Sequence, residues 1–209
     1  MKKILIPVVA FVICLTVVWK WTMGFSSFTV FSYTLDKAGE LPRTFPDIPL
    51  LSQDSTVFHI ADAHKYTLVN FVYLNCPYVC HKVNNQIEQI YHLFDKSVVP
   101  SELGFVTVSF DLKNDGVDKI KKYRSYFGND IGGWTFAIPY QSTQANFDQF
   151  LKNIGIWKYS VSATGIINHS LYLFLISPDN KVVKVFDPAR DSNGFIVEQI
   201  NACINGKSI

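Results

Sequence analysis

Hydrophobic positions fall along this chain in alternating blocks of two kinds. Two short runs rich in β-branched and aromatic residues, "TLVNFVYL" at 67–74 and "LGFVTVSF" at 103–110, are too short for helices and read as buried strands. Between them, "CHKVNNQIEQIYHLFDK" at 80–96 spaces its apolar residues three and four apart, the period of a helix with one buried face. Strand, helix and strand in succession make a βαβ unit, which sets the two strands parallel. The pattern goes on with a helix at 116–128, a short strand near 134–138, a helix at 143–155, strands at 171–177 and 181–187 around the turn "PDNK", and a closing helix near 194–204. The class is α/β, with a hairpin completing a mainly parallel sheet.

The first forty residues have a different character. Lys2 and Lys3 precede sixteen uncharged residues at 4–19, and Lys20 and Trp21 close the run. A spanning helix takes about 20 apolar residues, with about 17 the lower limit, so this run crosses a bilayer only if its Trp-Lys-Trp edge sits in the interface. We read residues 1–21 as an uncleaved transmembrane anchor; the alternative is a signal peptide, but "WKWTMG" offers no clear small-x-small cleavage site. The lysine pair stays cytoplasmic by the positive-inside bias, which puts the rest of the chain in the periplasm or an equivalent intermembrane space. Bulky Ile13 stands where a lipid-modified cysteine is preceded by a small residue, so Cys14 reads as an apolar membrane cysteine. Residues 22–40 read as a linker and 41–209 as one domain, opened by a proline-rich β-hairpin in "PRTFPDIPLLSQDSTVFHI". The order of elements within that domain predicts a thioredoxin-like fold with an N-terminal β-hairpin extension.

Composition narrows the partners. At 209 residues, 48% hydrophobic and 17% charged, the chain holds one core plus the apolar segment. Its net charge of +2 comes from 19 basic and 17 acidic residues scattered along the sequence, without the basic block that tracks phosphates, which argues against nucleic acid.

An oxidising compartment turns exposed cysteines into disulfides, redox centres or metal ligands. Cys203, at helical spacing with Ile196, Ile200 and Ile204, reads as a core thiol. Cys76 and Cys80 stand in "NCPYVCH", the first in the loop after the first central strand and the second in the opening turn of the next helix. Ligands collect at the carboxyl ends of such strands. Residues four apart share a helix face, with β-carbons about 5–6 Å apart, and the positive amino end of the helix favours thiolate. Three intervening residues give a wider bite than the two of thioredoxin-type pairs, one that closes as a disulfide or sets two thiolates on one metal ion. Redox pair, metal pair and structural disulfide all remain open on spacing alone. Of the histidines, His59, His64 and His92 lie away from the thiols and read as surface or hydrogen-bonded groups. His169 differs, because "TGIINHSLYLFLIS" sets it at the start of the penultimate strand, where thioredoxin-like proteins usually hold a cis-proline facing the active cysteines.

Through "FVYLNCPYVCHKVNNQI", "VTVSFDLKND" and "NHSLYLFLISPDNKVV", across about residues 41–204, the chain resembles the Sco/SenC family of copper chaperones for cytochrome c oxidase assembly. The resemblance implies that Cys76, Cys80 and His169 bind copper, with Cu(I) favoured over Cu(II). It also implies a copper donor protein, a thiol reductant, and delivery to the CuA site of oxidase subunit II from a single-pass inner-membrane anchor. Two thiolates and an imidazole suit soft Cu(I) and leave room for an acceptor's sulfur. Such a metallochaperone is not a turnover enzyme. The alternative is a thiol-disulfide reductase that keeps the oxidase copper-site cysteines reduced, with Cys76 and Cys80 as its redox pair. The sequence departs from the family at His81, where proline is usual, and in "SFDLKND", which keeps Asp111 and Asp115 of an S-x-D-P-x-R-D stretch but lacks its proline and arginine. Asp111 ends the second central strand and reads either as a support to the site or as a solvated carboxylate. His81 points about a hundred degrees from Cys80 around the helix and reads as a surface histidine.

Overall fold

The computed structural model describes residues 2–76, 79–128, 131–161 and 165–206. Its elements run α1 (Lys2–Trp21), α2 (Val30–Lys37), β1 (Arg43–Thr44), β2 (Leu50–Ser52), β3 (Val57–Phe58), β4 (Tyr66–Val72), α3 (Val79–His92), β5 (Leu103–Ser109), α4 (Val117–Arg124), β6 (Trp134–Pro139), α5 (Gln144–Asn153), β7 (Lys158–Val161), β8 (Ile166–His169), β9 (Leu173–Ile176), β10 (Lys181–Phe186) and α6 (Asn193–Ile204). The main sheet has the order β1-β10-β9-β4-β5-β6-β2-β3, and β7 pairs with β8 in a separate ribbon. β4, β5 and β6 are parallel neighbours, while β9 joins β4 antiparallel and β10 continues the hairpin. The order β5-β4-β9-β10 is the thioredoxin-like core, and β6 with its preceding helix is the expected insertion. The lead-in hairpin, β2 and β3, extends the sheet beyond β6.

Side-chain alternation along the strands explains why they read as unbroken apolar runs. Leu68 on β4 and Phe105 on β5 face one side, against Val83, Ile87 and Ile90 of α3 and Ile196 and Ile200 of α6. Val69 and Phe71 face the other side, against Phe147, Phe150 and Leu151 of α5. A sheet covered on both faces has no solvent side on which to place polar residues. Helix starts follow local chemistry: Thr143 accepts from the Asn146 amide at α5, and Ser192 from the Phe195 amide at α6. α3 ends at His92, short of the predicted 96, and the predicted 116–128 helix ends as α4 at Arg124, followed by a tighter turn over Ser125–Phe127.

The segment expected as a linker, 22–40, holds α2. Thr29 caps it reciprocally with Ser32, Leu35 packs against the core, and the Phe31 ring meets Trp157 at 5.2 Å. Gly155, at φ +95°, is required there, because a β-carbon would come within 2.9 Å of the Leu35 Cα. Arg43 holds the same corner by donating to the carbonyls of Gly39 and Ile154. α1 carries the apolar run expected as an anchor, with exposed side chains such as Val12, Trp19 and Trp21. Among the described residues, no helix is long and apolar enough to cross a membrane. Cys14 is exposed on α1, while Cys203 is half-buried on α6, where burial raises its thiol pKa.

Candidate metal centre

Cys76 lies in the loop that leaves the carboxyl end of β4, and it is buried, with its amide donating to the Tyr73 carbonyl at 3.2 Å. Asp115 holds this loop from beneath. One carboxylate oxygen accepts from the Leu74 amide at 2.9 Å and from the Ser109 hydroxyl at 2.6 Å, while the other faces the Lys119 ammonium at 3.4 Å. Lys119 also donates to the Asn75 side chain at 3.3 Å. The Asp115 side chain has no exposed surface, so its oxygens take these protein donors in place of water. Asp111 is buried too and accepts from the Asn114 side chain at 2.8 Å, closing the turn after β5; it is not a solvated strand end.

His169 ends β8 in the separate ribbon, with Lys158 of β7 as its backbone neighbour. Its ring packs edge-on against Phe110 at 4.7 Å and Tyr73 at 6.1 Å between centroids. Tyr73 therefore links the two candidate ligands: it stands three residues before Cys76, touches His169 by its ring, and accepts from the Ile167 amide through its hydroxyl at 3.2 Å. Nδ1 of His169 lies 2.9 Å from the Ser170 carbonyl, which can only accept, so the proton sits on Nδ1 and the lone pair on Nε2. Burial, foremost, holds the imidazole pKa down at about 4; the hydrogen bond to Ser170 acts upward and the Lys158 charge adds to the lowering. Lys158 itself pairs with Asp148 and lies 5.5 Å from the Phe110 ring centroid. At neutral pH His169 is thus a neutral, oriented imidazole, the form that ligates a metal.

The structure brings Cys76, His169 and Asp115 to one end of the sheet. Cys80 and His81 fall in the first turn of α3, but their side chains lie outside the described residues, as do Pro77 and Tyr78. Among the described residues, no three His, Cys, Asp or Glu side chains gather into a metal-binding group. The remaining histidines are elsewhere: His59 pairs with Asp47 at 2.8 Å in the lead-in, His64 follows a short turn before β4, and His92 ends α3. Sequence reasoning missed Tyr73 and Ser170 as supports. A usable signal was the tyrosine at the end of an apolar strand, since a buried phenol needs a hydrogen-bonding partner.

A family model described as SCO1/SenC matches residues 43–205. No curated protein matches the chain significantly. Among solved structures, an SCO1/SenC family lipoprotein from Bacillus anthracis is similar at 19% identity with a TM-score of 0.69, over 77% of this chain and 95% of that one. BsSco, in a structure concerned with a disulfide switch and described as a member of the Sco family of cytochrome c oxidase assembly proteins, gives 17% identity, a TM-score of 0.66, and coverage of 80% and 96%. Copper-bound ScoI from Arabidopsis thaliana gives 14% identity and a TM-score of 0.65 over 78% and 99%. Structural likeness at such identities speaks for the fold. The family model spans nearly the whole globular domain, and with it the cysteine loop and His169, so the chain belongs to the SCO1/SenC family.

Proposed function

We propose that this protein is a copper chaperone that holds copper through Cys76, Cys80 and His169 and delivers it to the CuA site of cytochrome c oxidase subunit II. The observation that carries this reading is His169: buried, neutral and turned by its bond to Ser170 so that Nε2 is the donor atom, in ring contact with the loop that leads to Cys76. A histidine retained only for packing needs no such fixed tautomer. Two thiolates and one imidazole bind Cu(I) in preference to harder ions and leave a position for an incoming thiolate. Transfer follows by ligand exchange, with acceptor sulfurs replacing Cys76 and Cys80 one at a time. Copper-bound relatives and the oxidase-assembly description of BsSco support the cargo and the client. In titration with Cu(I), the reduced globular part in its full chain takes up one copper per chain, and alkylating the thiols abolishes uptake. Equal uptake of zinc without copper preference would overturn the assignment.

A second reading draws support from the disulfide switch described for BsSco and from the pair's place at the amino end of α3. Here one thiolate attacks an acceptor disulfide, the second resolves the mixed disulfide, the acceptor leaves with two thiols, and Cys76–Cys80 becomes a disulfide that an external thiol reductant reopens. Both activities place the same demand on location. On this reading α1 is the inner-membrane anchor: no described helix is long and apolar enough to cross by itself, and the apolar run at 4–19 rises only about 24 Å against a hydrocarbon core of about 30 Å, so the anchor requires Trp19, Lys20 and Trp21 in the interface. The domain then faces the periplasm or the intermembrane space. A reporter active only outside the cytoplasm works when fused after Ile209, and the mature protein retains α1; cleavage near Phe25 would instead mark a signal peptide.

A further inference from the structure

A chain of buried side chains runs through the sheet beneath α3. Trp134 Nε1 on β6 donates to Thr107 Oγ1 on β5 at 3.0 Å, and Thr107 donates to Asn70 Oδ1 on β4 at 2.7 Å. Asn70 Nδ2 donates to Asn84 Oδ1 on α3 at 2.8 Å, and Asn84 Nδ2 donates to the Tyr123 hydroxyl on α4 at 3.1 Å. All five residues are buried, and Asn84 has 0% exposure. Their neighbours on this face, Leu68, Phe105, Phe136 and Ile87, are apolar. Apolar side chains of similar volume replacing the whole series together would fill the same space at little cost, whereas removing one member leaves its partners unpaired. What the amides add is orientation, because every donor and acceptor in the series has one arrangement that satisfies it.

That arrangement brackets the two cysteines. β4 carries Asn70 and leads out to Cys76; α3 begins at Val79 and carries Asn84 in its second turn. The Asn70–Asn84 bond therefore ties α3 to β4, and the bond to Tyr123 ties α3 to α4. We propose that Asn84 is a positioning residue for the Cys76–Cys80 pair, holding the start of α3 against the end of β4 so that the two sulfurs take up copper, or close as a disulfide, without reordering the backbone. Preorganisation of this kind raises both equilibria by removing the cost of ordering the groups. The proposal rests on the copper reading for one of its readouts only, since disulfide closure in a glutathione buffer reports the same separation without metal.

Asn84→Leu in the full chain lowers Cu(I) affinity and the equilibrium constant for Cys76–Cys80 disulfide closure by about tenfold each, the low end of what supporting groups around a metal ligand contribute. Thr107→Val cuts the same series at β5 but leaves both Asn84 bonds, so it costs stability while changing either equilibrium less than threefold. Tyr123→Phe removes the phenol oxygen that accepts from Asn84 and gives a smaller shift in the Asn84→Leu direction; it decides the matter if Asn84→Leu fails to fold. Equal effects of the α3-side and β5-side substitutions on both equilibria would overturn the proposal and leave Asn84 an ordinary buried amide. A parent chain that takes up no copper, yet shows the disulfide shift, would overturn the copper reading and keep Asn84 as a positioning residue.

Discussion

His169→Ala loses more than about 100-fold in Cu(I) affinity, beyond the ~10–100-fold of supporting groups, while Cys76 and Cys80 still form and break a disulfide at near-parental rates. The substitution removes the proposed nitrogen donor and leaves the two proposed thiolates, a softer but incomplete set for a three-coordinate ion. Exchange chemistry needs only the sulfurs and the amino end of α3, neither of which His169 supplies. Competition against a coloured Cu(I) chelator reads the first quantity, and disulfide formation in a glutathione buffer reads the second. Cys80→Ser loses both together, because it deletes a proposed ligand and the proposed exchange partner at once. The ring contacts of His169 with Phe110 and Tyr73 also vanish in the alanine variant, so thermal unfolding of the apo forms accompanies the measurement. An alanine variant that binds copper like the parent and supports oxidase assembly would make His169 a packing residue and the reductase reading the better one.

Acid unfolds the apo protein earlier than its His169→Leu variant. The imidazole is held near pH 4 in the fold, against 6.5 when unfolded, so below 6.5 the unfolded chain binds a proton that the folded chain refuses. The stabilisation is complete above about pH 6.5 and is lost as pH falls toward 4, amounting to about 3 kcal/mol across the window. Lys158 faces the imidazole from β7 and Asp148 pairs with that lysine from α5; both remain in the variant, so the difference between the two acid limbs isolates the histidine. Urea unfolding at several pH values between 4 and 7 gives the two curves. Parallel curves would show that His169 titrates as it does in the unfolded chain. Copper release should follow the same sign, since a proton on Nε2 competes with the metal for the lone pair.

Much of the fold was legible because both central strands are buried on two faces and their helices on one. Runs such as 67–74 and 103–110 therefore stand out as short unbroken apolar blocks against the three-and-four spacing of the helices, and the order of elements follows from that contrast. The βαβ unit, the β9–β10 hairpin and α6 all stand close to where the pattern sets them. α2 and the β7–β8 ribbon were not legible. α2 has no fully buried residue, and it is stabilised by Leu35 against Gly155, a contact more than a hundred positions away; the ribbon strands are four residues each and largely exposed, without a strong alternation to read.

The same division runs through the site. Spacing set Cys76 at the end of a strand and Cys80 at the start of a helix, and chain order singled out His169 before β9; these are local properties that a sequence states directly. Whether Asp115 turns inward to hold the Leu74 amide, whether Tyr73 spans from the cysteine loop to His169, and which nitrogen of His169 carries its proton were decided by tertiary structure alone. The first two depend on partners supplied by another element and the third on how the chain turns at Ser170, and in a buried site the absence of water leaves such partners to settle where each proton and lone pair resides.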